Sequence, residues 1–424
     1  MKRYILLSAL SLFLGLLSVW LMSFGLDQRR VSFGDVDYSE EDIGKLSWMP
    51  QVAYGFGLQA WKELDANGAA KLFRQVVVRD PLFMDAWLKL AEAEIELGNG
   101  GLARKISAFC HTKISQVLRW KQSQTLLAYD LGMHDIFRHN LNYLVDRKKW
   151  LSDVFYMLDV NTSYDTGRAL ALLDRGSRQA YLEWLMRWKR GEDAQTTWKA
   201  IEADGDVTDA LLLDYVNFLV SQKDVAPAAA IWRQHTGLRG IVNAGFEDEI
   251  MGRGFGWRMP RDRDEKVWQG RRVYGQSNRG THALRVSFLG KENLEWRNIY
   301  QIVPVTPETS YQLTYWWKSK SITTDQGPFV EIYSYDVRGL YKKGPMAVGS
   351  RDWEQVSVVF TAPEDCHAVV LRLRRKESLR FDNKIQGVLW VDDFELAVRE
   401  PQEAIGGSDG IVSREGAKGL ERAK

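Results

Sequence analysis

The chain has 424 residues, of which 45% are hydrophobic and 26% charged, too many for one ordinary core and enough for two or three domains. Its formal net charge of +2 excludes the global basic field of a nucleic-acid-binding protein, so no nucleic-acid partner is expected. The two cysteines, Cys110 and Cys366, fall in different predicted domains, which excludes a disulfide-stapled small fold.

Residues 4–26 form an uncharged apolar run between Lys2-Arg3 and Asp27-Gln28-Arg29-Arg30. At about 1.5 Å per residue such a run spans a hydrocarbon core of about 30 Å, and it is longer than the core of a typical signal peptide. Residues 1–30 therefore read as an uncleaved transmembrane signal anchor, with cleavage near Ser23-x-Gly25 and secretion as the alternative. Lys2 and Arg3 place the N-terminus in the cytoplasm and the bulk of the chain outside it, on the periplasmic side in a Gram-negative bacterium. An acidic linker occupies residues 31–49.

From Pro50 the sequence shows a 34-residue period. Gly57, Ala60, Ala69, Phe73 and Pro81 mark one unit, and Trp87, Leu90, Ala91 and Ala103 fall at matching offsets in the next. Farther on, apolar residues keep helical spacing (Leu182, Leu185 and Trp188; Leu211, Leu212, Tyr215, Phe218 and Leu219) while the period blurs. Small residues at fixed offsets let paired helices cross closely, and this pattern resembles the tetratricopeptide repeat. The resemblance implies an α-solenoid over residues 50–238 whose concave surface docks a partner protein. The recurring tryptophans (Trp87, Trp120, Trp184, Trp188, Trp198 and Trp232) read as core packing.

At Gly240 helical spacing gives way to short alternating runs: 283–288, 298–305, 311–318, 329–335, 355–361, 368–374 and 388–398. Seven such strands separated by turn residues predict a β-sandwich or jelly roll over residues 239–399. Asn243-Ala-Gly-Phe-Glu247, Gly256-Trp257, Gln301-Ile-Val-Pro-Val, Tyr311-Gln-Leu-Thr-Tyr-Trp-Trp-Lys318 and Val391-Asp-Asp-Phe-Glu-Leu396 occur in that order. Together they resemble the galactose-binding-like jelly roll of carbohydrate-binding modules. That resemblance implies a polysaccharide ligand and a structural Ca²⁺ held by Glu247, Asp392 and Asp393, hard oxygen ligands from both ends of the domain.

Strand alternation selects a candidate face. Val330 and Ile332 point inward and leave Glu331 and Tyr333 outward; Val369, Leu371 and Leu373 likewise leave Arg372 and Arg374 outward. Trp316 lies opposite Tyr311, Leu313, Tyr315 and Trp317. Trp316, Glu331, Tyr333, Arg372 and Arg374 would combine flat rings with polar groups, the pairing that sugars require.

No phosphate-binding loop, zinc-protease helix, nucleophile elbow or paired Cys-x-x-Cys motif occurs. No catalytic residues are assigned and the chain is expected not to be an enzyme. Residues 400–424, rich in Gly, Ala and charge, read as a disordered tail. The sequence thus predicts a membrane-anchored envelope protein that binds a polysaccharide through its sandwich and a protein through its repeats, in exopolysaccharide biosynthesis or export. A purely protein-binding scaffold with a structural sandwich is the alternative, and a glycan-processing enzyme a weaker one.

Overall fold

The computed structural model describes residues 49–259 and 266–399. The expected membrane segment 4–26, nearly all of the linker and the 400–424 tail lie outside the described residues. Among the described residues no helix is long and apolar enough to cross a membrane. The chain divides into two compact units between Val207 and Thr208.

The first unit is helical: α1 Pro50–Lys62, α2 Ala66–Arg79, α3 Met84–Glu96, α4 Gly100–Ile114, α5 Leu118–Asp130, α6 His134–Asp146, α7 Leu151–Asn161, α8 Thr166–Leu172, α9 Arg175–Arg187 and α10 Gly191–Asp204. Consecutive helices pack in pairs, as α1 with α2, α3 with α4, α5 with α6 and α9 with α10. Small residues at the crossings allow it. A Cβ added at Gly57 would lie 2.5 Å from the buried Phe73 ring, so only glycine lets α1 approach α2 this closely. Asp65 starts α2 by accepting from Gly68 N at 2.8 Å, a side-chain cap on an otherwise orphaned amide.

The turns within the pairs show the period most clearly. Leu64, Gly98 and Gly132, spaced 34 apart, all have left-handed φ, and so do Lys189 and Lys223, again 34 apart. In each turn the following amide reaches back to a carbonyl of the finished helix: Asp65 to Ala60, Asn99 to Glu94, Met133 to Ala128, Arg190 to Leu185, Asp224 to Leu219. The repeat persists in the backbone where the side-chain pattern has faded.

The second unit opens with two more helices, α11 Asp209–Ser221 and α12 Val225–Thr236. They pack with the strand domain: Asp214 pairs with Arg253 at 2.6 Å, and the Tyr335 hydroxyl donates to Val220 O at 2.9 Å. The helix-to-strand change in the sequence and the division of the chain into units are thus different places.

Among the described residues nine strands follow: β1 Trp268–Tyr274, β2 His282–Leu289, β3 Trp296–Pro304, β4 Ser310–Ile322, β5 Phe329–Ser334, β6 Tyr341–Lys343, β7 Gly349–Thr361, β8 Ala368–Arg375 and β9 Gln386–Val398. They form a five-stranded sheet, β1-β2-β9-β4-β7, and a four-stranded sheet, β3-β8-β5-β6, with every pairing antiparallel. The shared core draws Leu313, Tyr315, Trp317 and Val391 from one sheet and Val330, Ile332, Leu371 and Leu373 from the other. Phe246 and Trp257, from the irregular segment before β1, complete it.

Candidate functional site

Alternation in β5 and β8 puts one row of residues on the outer face of the four-stranded sheet. Tyr300, Arg372, Glu331 and Lys343 are register partners across β3, β8, β5 and β6. The next row on that side holds Val370, Tyr333 and Tyr341, and Arg374 faces Phe329 on the other flank. Tyr333 and Tyr300 are half-buried, whereas Tyr341 and Lys343 at the sheet edge are exposed.

Glu331 is the hub of this face and is fully buried. Its Oε1 accepts from Arg372 Nε at 2.5 Å; its Oε2 accepts from Arg374 Nη1 at 3.3 Å and from the Tyr341 hydroxyl at 3.1 Å. Arg374 also reaches Glu295 Oε1 at 2.8 Å. The Arg372 guanidinium carbon lies 4.7 Å from the Tyr333 ring centroid, a cation–π contact that fixes both groups. Burial raises the Tyr333 hydroxyl pKa above the ordinary tyrosine value; for Tyr341 burial and then the Glu331 charge do the same. Both phenols stay neutral at physiological pH and can donate as well as accept.

The outer face presents tyrosine rings and guanidinium edges. Glu331, a contact residue on strand alternation alone, is not at the surface; its carboxylate sits below and orients Arg372 and Arg374 from beneath. Nor does the structure bring Trp316 to the other four residues. Trp316 pairs with Gln355 and Asp392 on the outer side of the five-stranded sheet, so the five candidates divide between the two sheets. Both sheets have an outward row, and alternation alone cannot say which sheet a row belongs to.

Arg375 supports one end of the face. It is fully buried and reaches Gln326 O at 3.1 Å, Asn293 Oδ1 at 2.9 Å, Leu294 O at 2.6 Å and Asn383 O at 2.8 Å. These bonds hold the stretch that carries Glu295 against the segment leading into β5. Tyr300, Tyr341, Lys343, Glu295 and Arg375 were absent from the sequence-derived site. Tyr300 was within reach of the same alternation, since Ile299 and Val303 point inward; Tyr341 sits on a three-residue strand that leaves no pattern.

The expected calcium ligands lie at the opposite sheet. Between Thr314 and Trp316 the β4–β9 register shifts, and Asp393 takes φ 48. This bulge turns Phe394 into the core and leaves Asp392 buried beneath the 275–281 turn. Asp392 Oδ2 accepts from Asn278 N at 2.8 Å, its Oδ1 accepts from Asp393 N at 2.8 Å, and Asp393 Oδ2 accepts from Asn278 Nδ2 at 2.7 Å. Burial first, and then the Asp393 charge, push the Asp392 carboxyl up to about 6.

Glu247 has other partners. Its oxygens accept from Thr281 Oγ1 at 2.6 Å, Thr281 N at 2.8 Å, His282 N at 3.1 Å and His282 Nδ1 at 3.2 Å, which hold its carboxyl down at about 2. Gly280 takes a left-handed φ of 65 where the turn closes on the carboxylate, a conformation that favours glycine. Among the described residues no three His, Cys, Asp or Glu side chains are grouped to hold a metal ion. Glu247, with its lone pairs already taken, does not fit a shared calcium set with Asp392 and Asp393.

No family model matches the chain, and no curated protein matches it. Solved structures similar to it include a family 61 carbohydrate-binding module in complex with β-1,4-galactotriose (15% identity, 38% of this chain, 100% of that chain, TM-score 0.27). A second is the CBM22-1 xylan-binding domain of Xyn10C from Paenibacillus barcinonensis (11% identity, 37% of this chain, 91% of that chain, TM-score 0.25). A third is a cyclase from Fischerella sp. in complex with 4-(1H-indol-3-yl)butan-2-one (17% identity, 38% of this chain, 98% of that chain, TM-score 0.28). These likenesses, a sugar binder and a cyclase among them, decide neither ligand nor activity for this chain.

Proposed function

We propose that the β-sandwich binds a polysaccharide on the outer face of its four-stranded sheet, without catalysing its conversion. The observation that carries this reading is the half-buried Tyr333 ring locked beside Arg372, with Glu331 buried beneath. Sugars offer apolar C–H faces and a fringe of hydroxyls, and this row offers rings flanked by fixed donors. Fixing those donors in advance lowers the ordering cost of binding.

In this reading the helical unit is a tetratricopeptide-type array that docks a partner protein. The apolar run at 4–26 anchors the chain so that both units work outside the cytoplasm, in exopolysaccharide biosynthesis or export. The alternative is a protein-binding scaffold whose sandwich is structural; the saturation of Glu331 by its own neighbours favours that alternative.

A glycan-array and affinity-gel screen of residues 208–399 separates the two. The fragment keeps α11 and α12 because they pack with the sandwich. Retention on a polysaccharide gel is expected to weaken about 2- to 10-fold in Tyr333→Ala, the loss of one aromatic contact worth about 0.5–1.5 kcal/mol, and to be unchanged in Trp316→Ala. A folded fragment that no glycan retains would leave the scaffold.

A further inference from the structure

The outer face of the four-stranded sheet shows its cations and hides its carboxylate. Arg372 and Arg374 keep 17% and 19% of their side chains exposed, and Tyr341 and Lys343 at the β6 edge are open to solvent. The Glu331 side chain between them is 0% exposed. Glu295, at the flank, is bound to Arg374. The Lys343 ammonium leans over the face, 5.9 Å from the centre of the Phe329 ring, and Phe329 is the register partner of Arg374.

At the other end of the row Arg258 bridges to Tyr300, beyond β3, and its guanidinium carbon lies 5.7 Å from the Tyr300 ring centroid. Its Nη2 donates to neutral oxygens, Gly254 O at 2.8 Å and Asn217 Oδ1 at 3.2 Å. Burial lowers its pKa and no carboxylate offsets that, yet a guanidinium stays charged at neutral pH. Arg258 is therefore a fixed positive charge behind Tyr300. From Arg258 to Lys343 the row crosses four strand spacings, about 19 Å. Among the described residues these four cations meet two carboxylates, and both of those are engaged by Arg372 and Arg374. Along one side of the row α12 contacts β3, the Tyr335 hydroxyl is held by Val220 O, and Ile302 and Val370 are buried. That apolar bank lowers the local dielectric and strengthens the field of the cations beside it.

We propose that the polysaccharide bound on this face is acidic, a chain of carboxylate-bearing sugars whose acid groups meet Lys343 and the exposed edges of Arg372 and Arg374. An ionised carboxylate only accepts hydrogen bonds, and this face has donors to spare. The planar guanidinium edges match a planar carboxylate. Hydroxyls of a neutral chain must donate as well as accept, and the buried Glu331 leaves them little to donate to. The inference rests on the sugar-binding reading of this face and adds the class of sugar to it.

The test is affinity electrophoresis of the full chain, in neutral detergent, through gels containing polygalacturonate or alginate, each against its esterified, uncharged form. At least one acid form is expected to retain the chain about tenfold more strongly than its ester, and less as sodium chloride is raised. Lys343→Met, at an exposed sheet edge, should weaken that retention about 2- to 5-fold, the worth of one exposed ion pair. Lys342→Met removes the same charge from the neighbouring residue, whose register partner is the core residue Ile332, and should change nothing. Equal loss in the two variants would mean attraction to the charge of the chain at large and would overturn the proposal. So would no loss in Lys343→Met, equal retention by acid and ester, or retention by neutral glycans alone. In those cases a loss in Tyr333→Ala shows that the sugar-binding face itself stands. Retention of the folded chain by no glycan at all removes the face, and this inference with it.

Discussion

Arg375 links the stability of the sandwich to the shape of its candidate face, and the substitution Arg375→Leu tests that link. Of its four acceptors, two keep another donor: Asn293 Oδ1 also receives Ser378 N, and Gln326 O also receives the Thr324 hydroxyl. Leu294 O and Asn383 O lose the guanidinium bond outright. Two stranded carbonyls cost about 1–3 kcal/mol each, and two weakened sites about 0.5–1.5 kcal/mol each. Relief of burying a guanidinium, whose charged form burial disfavours here, returns part of this. A net loss of about 3 kcal/mol follows, a fall in midpoint of about 6–12 °C for a unit of this size. Differential scanning calorimetry of the full chain reads the sandwich transition directly. Arg375→Lys, which keeps the charge but cannot reach four acceptors, should fall between. A loss below about 1 kcal/mol in Arg375→Leu would refute the idea that these bonds hold the end of the face together.

Replacing Glu331 by Gln should weaken polysaccharide retention without touching ligand, because Arg372 and Arg374 lose the anion that aims them; retention equal to wild type in affinity gels would contradict that role. Asp392, held up at about 6, makes the sandwich most stable at or below about pH 4 as far as this one group is concerned, and that contribution of about 3 kcal/mol is lost as pH rises through about 6. Midpoints measured from pH 4 to 8 should show the step, and Asp392→Asn should flatten it. Calcium chloride, which would need oxygens already taken by amides, should leave the profile unchanged. Gly57→Val should destabilise the helical unit by about 1–3 kcal/mol through collision with Phe73, and urea denaturation that shows no loss would mean the α1–α2 crossing can open.

The change from a 3.6-residue to a 2-residue period near Gly240 made the helix-to-strand order legible, and turn residues marked seven of the nine strands. The two others escaped for physical reasons. The Trp268–Tyr274 strand lies at a sheet edge and buries only its first residue, so it shows no alternation, and Tyr341–Lys343 is too short to have a period. Alternation correctly placed Arg372, Arg374, Glu331 and Tyr333 on one side, because side-chain direction is local. Depth is set by neighbours from distant strands, so the burial of Glu331 could not be read. The separation of Trp316 from Tyr333 follows from strand order, which depends on nonlocal pairing, and the bulge at Asp393 leaves no mark in composition.

The recurring turn of the helical array shows where this protein has left stability unused. Leu64, Lys189 and Lys223 adopt a left-handed backbone that Gly98 and Gly132 take without penalty at equivalent points. An L-residue there costs about 1–2 kcal/mol, and Leu64 is 92% exposed, so it has little packing to lose. Glycine at these positions would be an improvement by design, and sites so far apart should add almost independently. The array can therefore be stabilised one joint at a time from its connectors, leaving the surfaces of its helices as they are.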